Sequence, residues 1–397
     1  MAYHVKKTSE RSRRDPSQGG WDTTIIKAPD SHSSSKHGKK RHHRRRKKWP
    51  KVVAGVLIAL LVVVGIGAGA AFAYMKSLDK AMSLGDNHEA ISAALTDTPA
   101  SKPFYVLVMG SDLREVTDKS VKDGTNYSAT HGTRSDVIML MRVDATNSKL
   151  TMMTIPRDTP YVYSDGAIAK LNHTYETDGA TGLITAVEGL TGVKISHYVE
   201  VHGSDVENVV DGLGGITVDV PQAISGTTIT GVPVSIDSGL QRLSGSEALL
   251  LANSRMQYDS LQDMNRQKGA RLVVAGIIEA IRSKPLYEIP GAVADAASCV
   301  KTDMETTELV NIVRMMRDNL TLYSGTAPYD GDLDLWAVSS HAEEDAPWLC
   351  YVNEAGWKRV LDALGSGEDI AGMSYDKDAV HYAGQPESTW SQGLVEP

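Results

Sequence analysis

The sequence predicts a helix-covered α/β domain preceded by one transmembrane helix, and three observations carry that expectation. Apolar, strand-like runs alternate with helical periodicity between residues 104 and 282, the pattern of a sheet with helices packed on it. The 24 residues Val52–Met75 carry no charge and stand between Lys51 and Lys76. At about 1.5 Å per residue they are long enough to span a hydrocarbon core of roughly 30 Å. Charge divides around that run. Residues 1–51 hold 16 Lys or Arg against four Asp or Glu, a balance of +12, so the −8 of the whole chain leaves −20 on the remainder.

The positive-inside bias then places the amino end in the cytoplasm and everything after Lys76 outside, a single-pass protein of the cell membrane. A cleaved signal peptide is the alternative, but its apolar stretch would be shorter and nearer the start. The basic tail, densest over 39–48, reads as disordered and suited to anionic membrane lipid. It has no nucleic-acid-binding fold around it, and no nucleic acid partner is expected. Residues 76–102 read as a juxtamembrane linker ending at Pro99 and Pro103.

Three buried-type strands are predicted over 104–109, 137–143 and 150–155, a helix over 181–190, a strand over 195–201, a helix over 204–213 and a strand over 216–220. Residues 227–236 read as a hairpin, and 246–255, 264–282 and 307–320 as helices. From Cys299 onward the pattern fades into an appended segment marked by Trp336, Trp348 and Trp357, and the chain from Asp376 is polar. The layout is a tail (1–51), a transmembrane helix (52–75), a linker (76–102), the main domain (103–285), its C-terminal part (286–375) and a polar tail (376–397). Cys299 and Cys350 are an even pair in an oxidising compartment, which allows one disulfide; two buried thiols are the other reading. The histidines past the tail, His202 among them, are scattered without a ligand pattern.

Chemistry concentrates over 134–158. Arg134-Ser135-Asp136 opens one strand and Ile155-Pro156-Arg157-Asp158 closes the next, so guanidinium forks and carboxylates meet at strand ends, where a diphosphate and a divalent cation can be held together. Asp112 follows another strand and with Asp136 suits one Mg²⁺; turn-capping is an equally good reading of each. Arg114, Arg134 and Arg157 suit a cationic cup, against the plain reading of surface ion pairs. Arg255, Arg266 and Gln267 fall on later helices, and periodicity does not say whether they face the cup.

Residues 104–282 resemble the LytR-CpsA-Psr family of bacterial envelope proteins. The likeness rests on Val108–Arg114, Arg134–Leu140, Ile155–Thr159, Lys170–Asn172, Val210–Pro221, Leu243–Leu249 and Arg266-Gln267, in the family's order. The resemblance implies a three-layer α/β/α sandwich with a central mixed sheet and an apolar tunnel for a prenyl chain. It implies an enzyme of Gram-positive cell-wall biogenesis, which passes a glycopolymer such as a teichoic acid from a polyprenyl diphosphate to peptidoglycan as a phosphodiester. By position, Asp112 and Asp136 would hold Mg²⁺. Arg114, Arg134, Arg157, Arg255, Arg266 and Gln267 would bind the substrate, with Arg134, Asp136, Arg157 and Asp158 the catalytic group and Asp158 fixing Arg157. Two positions depart from the family pattern: Asn253 and Asp263 stand where it carries Arg. Lys170 and Arg271 are candidates to compensate. The departures keep two other readings in view, a non-catalytic polyprenyl-diphosphate-binding scaffold and a polyprenyl-diphosphate phosphatase.

Overall fold

The computed structural model describes residues 70, 72–111, 135–166, 168–227, 232–254, 262–297, 299–330, 351–352, 354–371 and 373. The chain divides after Leu61; the first unit lies outside the described residues, and the second is the domain described below.

Its centre is a six-stranded mixed sheet in the order β11-β6-β1-β2-β3-β12. Strands β1 (Phe104–Ser111), β2 (Ser135–Asp144) and β3 (Lys149–Ile155) form an antiparallel meander. β6 (His197–His202) lies parallel to β1, and β12 (Thr321–Thr326) lies parallel to β3. β11 (Val300–Thr302) closes the other edge, antiparallel to β6. The strand runs are apolar on both sides because both sheet faces are covered.

Alternate residues serve two cores. Leu107, Met109, Ile138, Leu140, Met153 and Ile155 face α2 (His88–Ala94), α3 (Leu171–Thr191) and α9 (Glu354–Ser366). Phe104, Val106, Met139, Met141, Val143 and Met152 face α6 (Gln262–Arg282) and α8 (Thr306–Met315). The fully buried ones among these, all but Val106, Met141 and Val143, contribute about 1.5–3 kcal/mol of burial each. The three-layer sandwich with a mixed sheet is therefore the fold.

The transmembrane element of the expectation is corrected. Among the described residues no helix is long and apolar enough to cross a membrane. Most of the run 52–75 lies outside the described residues, and its described end belongs to helix α1 (72–82). That helix packs on protein: Leu78 and Met82 are buried with Ala294, and Lys76 pairs with Asp79 and Glu305. The single-pass placement rested on the same run and is corrected with it.

Two further differences have physical reasons. The predicted helix over 181–190 is the second half of α3, whose helical dihedrals break at Gly179 (φ 64°, ψ −154°), a conformation glycine reaches without a Cβ penalty. β7 (Ile216–Val220) does not join the central sheet. It pairs with β10 (Gly239–Leu243) in a smaller lobe, where the predicted hairpin, β8 (Ile224–Thr227) and β9 (Pro233–Ile236), also lies. There α4 (Gly203–Gly212), α5 (Gly245–Asn253) and α6 enclose a separate apolar core. α6 serves both cores, and at Gly269 it touches α5 so closely that a Cβ would stand 2.2 Å from the Leu251 carbonyl oxygen.

The segment read as appended is part of the sandwich: β12 extends the sheet, and α9 buries Trp357, Val360 and Leu364 in the first core. Trp336 and Trp348 lie outside the described residues, as does Cys350, and the expected disulfide with it. Cys299 is buried beside Val209, Leu213 and Ala292.

Trp357→Ala should lower stability by about 3–5 kcal/mol in urea unfolding, the cost of emptying an aromatic site in a core; an appended segment would lose almost nothing. His197 gives a pH signature. Burial opposes its charge, but the hydrogen bond to Asp303 (2.7 Å), with Glu308 and Asp97 near, raises its pKa above the ordinary value. Its contribution is therefore complete below the unfolded-state pKa of about 6.5 and is lost as pH rises through the raised folded one. Unfolding midpoints of wild type and His197→Gln should converge as pH rises through that window.

Candidate functional site

β1, β3, β6 and β12 all end at one edge of the sheet, and β2 begins there. Ligands of open α/β sheets bind outside the carboxyl ends of strands. At this edge the β1–β2 ladder slips. Gly110 faces Val137, but Ser111 faces Ser135, so Asp136 has no opposite residue and forms a bulge. A bulge turns a side chain out of the regular alternation and leaves its own backbone groups outside the ladder.

Both consequences are visible. The Asp136 carboxylate accepts a hydrogen bond from Arg157 Nη1, and the Asp136 carbonyl oxygen accepts one from Arg266 Nη1 at 2.9 Å. Arg157 is held on a tight turn after β3, where Thr159 N–H and Oγ1 both donate to the Pro156 carbonyl oxygen (3.1 and 2.7 Å). Asn172 N–H, at the start of α3, donates to the Arg157 carbonyl oxygen at 3.1 Å. The next residue, Asp158, is buried and pairs with Lys170 at 2.7 Å and more loosely with Arg157 at 3.7 Å. Burial works against the Arg157 charge, but the carboxylates of Asp136, Asp158 and Asp263 outweigh it and raise its pKa further. Its side chain is 25% exposed, so a charged donor remains open to a ligand.

α6 supplies the other wall, and here the sequence expectation changes meaning. Asp263 is 1% exposed. Its Oδ1 accepts from Arg266 Nε at 2.8 Å and its Oδ2 from Gln267 Nε2 at 2.6 Å. Asp263 is thus the counter-ion that aims Arg266 at the Asp136 carbonyl, not merely a missing cation. Asn253, the other departure, is exposed at the end of α5. Arg271, one turn beyond Gln267, is fully buried and donates to Thr154 Oγ1 and to Thr326 Oγ1 (2.9 Å). Burial pulls its pKa down to about 9. It braces β3 against β12 instead of lining the cup.

Of the residues singled out in sequence, Asp136, Arg157, Asp158, Arg266 and Gln267 come together, with Lys170 beside them. Asp112, Arg114, Arg134 and Arg255 lie outside the described residues. The described part of the cup carries three cations (Arg157, Lys170, Arg266) and three carboxylates (Asp136, Asp158, Asp263). Among the described residues there is no group of three or more His, Cys, Asp or Glu able to hold a metal ion. Asp136 alone still suits Mg²⁺ in kind, because that ion keeps several waters and takes its other ligands from one or two carboxylates and substrate phosphates.

Sequence reading missed a second polar group at the same edge. Ser111 Oγ lies 2.6 Å from His202 Nδ1, and His202 Nε2 lies 3.6 Å from Glu200 Oε1. Tyr175 and Tyr198 hydroxyls donate to the two Glu200 oxygens at 3.0 and 3.1 Å. The signal was the period-two spacing Tyr198, Glu200, His202 along and one residue past the strand predicted over 195–201, with valines between them.

The family model of the LytR_cpsA_psr proteins matches residues 70–341. The chain belongs to the LytR-CpsA-Psr family. Among family members with curated names, it is 30% identical over 213 residues to the polyisoprenyl-teichoic acid–peptidoglycan teichoic acid transferase TagU of Halalkalibacterium halodurans, covering 53% of this chain and 64% of that protein. To TagU of Enterococcus faecalis it is 29% identical over 268 residues, 66% of this chain and 80% of that one. The crystal structure of Bacillus subtilis TagV superposes with a TM-score of 0.54 at 22% identity, covering 67% of this chain and 97% of that one, a likeness of fold.

Restoring the family's arginines should not simply strengthen the cup. Asn253→Arg should leave stability within about 0.5 kcal/mol, as an exposed change does. Asp263→Arg should cost at least about 3–5 kcal/mol, because it breaks a buried pair and adds a cation beside Arg266. Thermal or urea unfolding of the two single variants checks both.

Proposed function

We propose that this LytR-CpsA-Psr protein is a phosphotransferase that moves a glycopolymer from a polyprenyl-diphosphate carrier to peptidoglycan in cell-wall assembly. The observation that carries the reading is Arg157, a part-exposed guanidinium held beside the Asp136 and Asp158 carboxylates at the carboxyl edge of the sheet. The transferase names of the TagU relatives support the same substrate class.

Asp136 occupies on Arg157 the donor that a phosphate oxygen would take. A bound diphosphate would exchange with that carboxylate, and the guanidinium would stabilise charge developing on the transferred phosphorus and the leaving phosphate. Asp158, tied to Lys170, keeps Arg157 in place and serves as a positioning residue. Arg266 acts through the bulge by holding the Asp136 carbonyl. Gln267, Arg114, Arg134 and Arg255 belong to the proposed substrate contacts by their place in the family motifs. Asp136 with Asp112 would hold Mg²⁺, which would neutralise phosphate charge when bound.

Transfer from a purified lipid-linked glycopolymer to peptidoglycan oligomers tests the reading. Wild type should form product, and Arg157→Ala should form it at least about a hundredfold more slowly, in line with removal of one preorganised charge contact. Donor binding without product would make the protein a scaffold, and phosphate release that needs no acceptor would make it a phosphatase.

A further inference from the structure

We propose that His202 is the general base that takes the proton of the attacking acceptor hydroxyl, with Ser111 and Glu200 as its positioning residues. The inference rests on the transferase reading. Transfer needs a group to receive that proton, and among the described residues of the Arg157 cluster Asp158 and Asp263 are each committed to a cation, while Asp136, once exchanged for the diphosphate, would go to Mg²⁺.

The second polar group has the parts of a base. Ser111 is buried while the His202 side chain is 23% exposed, so the serine can fix the ring from behind and leave an edge for substrate. In the tautomer with Nδ1–H donated to Ser111 Oγ, the ring presents Nε2 as acceptor, and Glu200 Oε1, 3.6 Å from that same nitrogen, would attract the proton it takes up. Glu200 is itself pinned by two tyrosines. Burial, with the Glu200 charge, pushes both hydroxyls well above their ordinary pKa, so they stay donors to the carboxylate beside the ring.

Position fits as well. Ser111 pairs with His202 on one side and with Ser135 on the other, and Ser135 precedes the bulged Asp136 that holds Arg157. At about 4.8 Å per strand, His202 stands roughly 10 Å from the start of β2. With a phosphate on Arg157, the proposal asks for an attacking oxygen about 3–3.5 Å from phosphorus and His202 Nε2 about 2.8 Å beyond it, a span of the same order as that backbone separation. In the step, the acceptor O–H bond breaks and its proton goes to Nε2. The acceptor oxygen bonds to phosphorus, the bond from phosphorus to the prenyl phosphate oxygen breaks, and its electron pair leaves with prenyl phosphate. The imidazolium then returns its proton to water.

The test uses the full chain and the transfer assay, with inorganic pyrophosphate binding measured by calorimetry. His202→Ala should lower kcat about 10²- to 10³-fold with KM for donor and pyrophosphate affinity unchanged, and added imidazole should restore at least about a tenfold gain. His202→Asn, which puts a favourable capping residue at the start of α4, should be folded and equally slow. Wild-type kcat in either variant overturns the proposal, and so does a loss in His202→Ala that imidazole does not relieve. Were wild type itself to make no product, the transferase reading would fall first. Were wild type active and Arg157→Ala slow while His202→Ala kept its rate, only the base assignment would fall.

Discussion

One extra residue in β2 organises this site. A regular ladder would pair Asp136 with β1 and commit it to the alternation of the sheet. The slip between Gly110 and Ser111 instead frees its carboxylate for Arg157 and its carbonyl oxygen for Arg266. The freed carbonyl would be costly if left bare at this part-buried edge. Arg266 removes that cost, and in doing so joins the start of α6 to the start of β2.

That junction gives Asp263 its meaning. Read along the chain, an acidic residue at a position where the family carries Arg subtracts a phosphate contact. In the fold it is buried between Arg266 and Gln267 and within reach of the Arg157 charge. An isolated carboxylate could not be buried there. A carboxylate with two donors and a neighbouring cation can. The cup is thereby rigid and balanced in charge over its described residues, so selectivity for an anion depends on which donors stay exposed and not on a bulk positive field. Arg157 and Lys170 are the cations that stay partly open.

The sequence made the central meander, the β6 strand, the lobe hairpin and the helices α4, α5 and α6 readable, because each is a contiguous apolar pattern of one period. It also made Asp136, Arg157 and Asp158 readable as neighbours, since strand ends flank them directly. The rest depended on partners distant in sequence. The bulge is a property of two strands and leaves no mark in either. β12, Thr321–Thr326, is a half-polar edge strand that only its parallel pairing to β3 identifies. α9 reads as an appendage until its Trp357 is seen in the first core. His202 looked like one scattered histidine because Ser111 is 91 residues earlier in the chain.

The two polar groups are mechanically connected. Lys170 ends the short strand β5 (Ile168–Lys170) and pairs with Asp158; Asn172 N–H holds the Arg157 carbonyl; Tyr175, one turn on, holds Glu200. Six consecutive residues at the entrance to α3 therefore touch both the phosphate-side turn and the carboxylate beside His202. Gly179 breaks the helical dihedrals four residues further on, so this first turn and a half, seated in the core by Leu171, is set apart from the second half of α3 that carries Leu183, Ile184 and Val187. A displacement of the 170–175 segment would move Arg157 and Glu200 together, so the spacing between the phosphate-binding cation and the ring of His202 is set by one short piece of backbone and not by two independent loops.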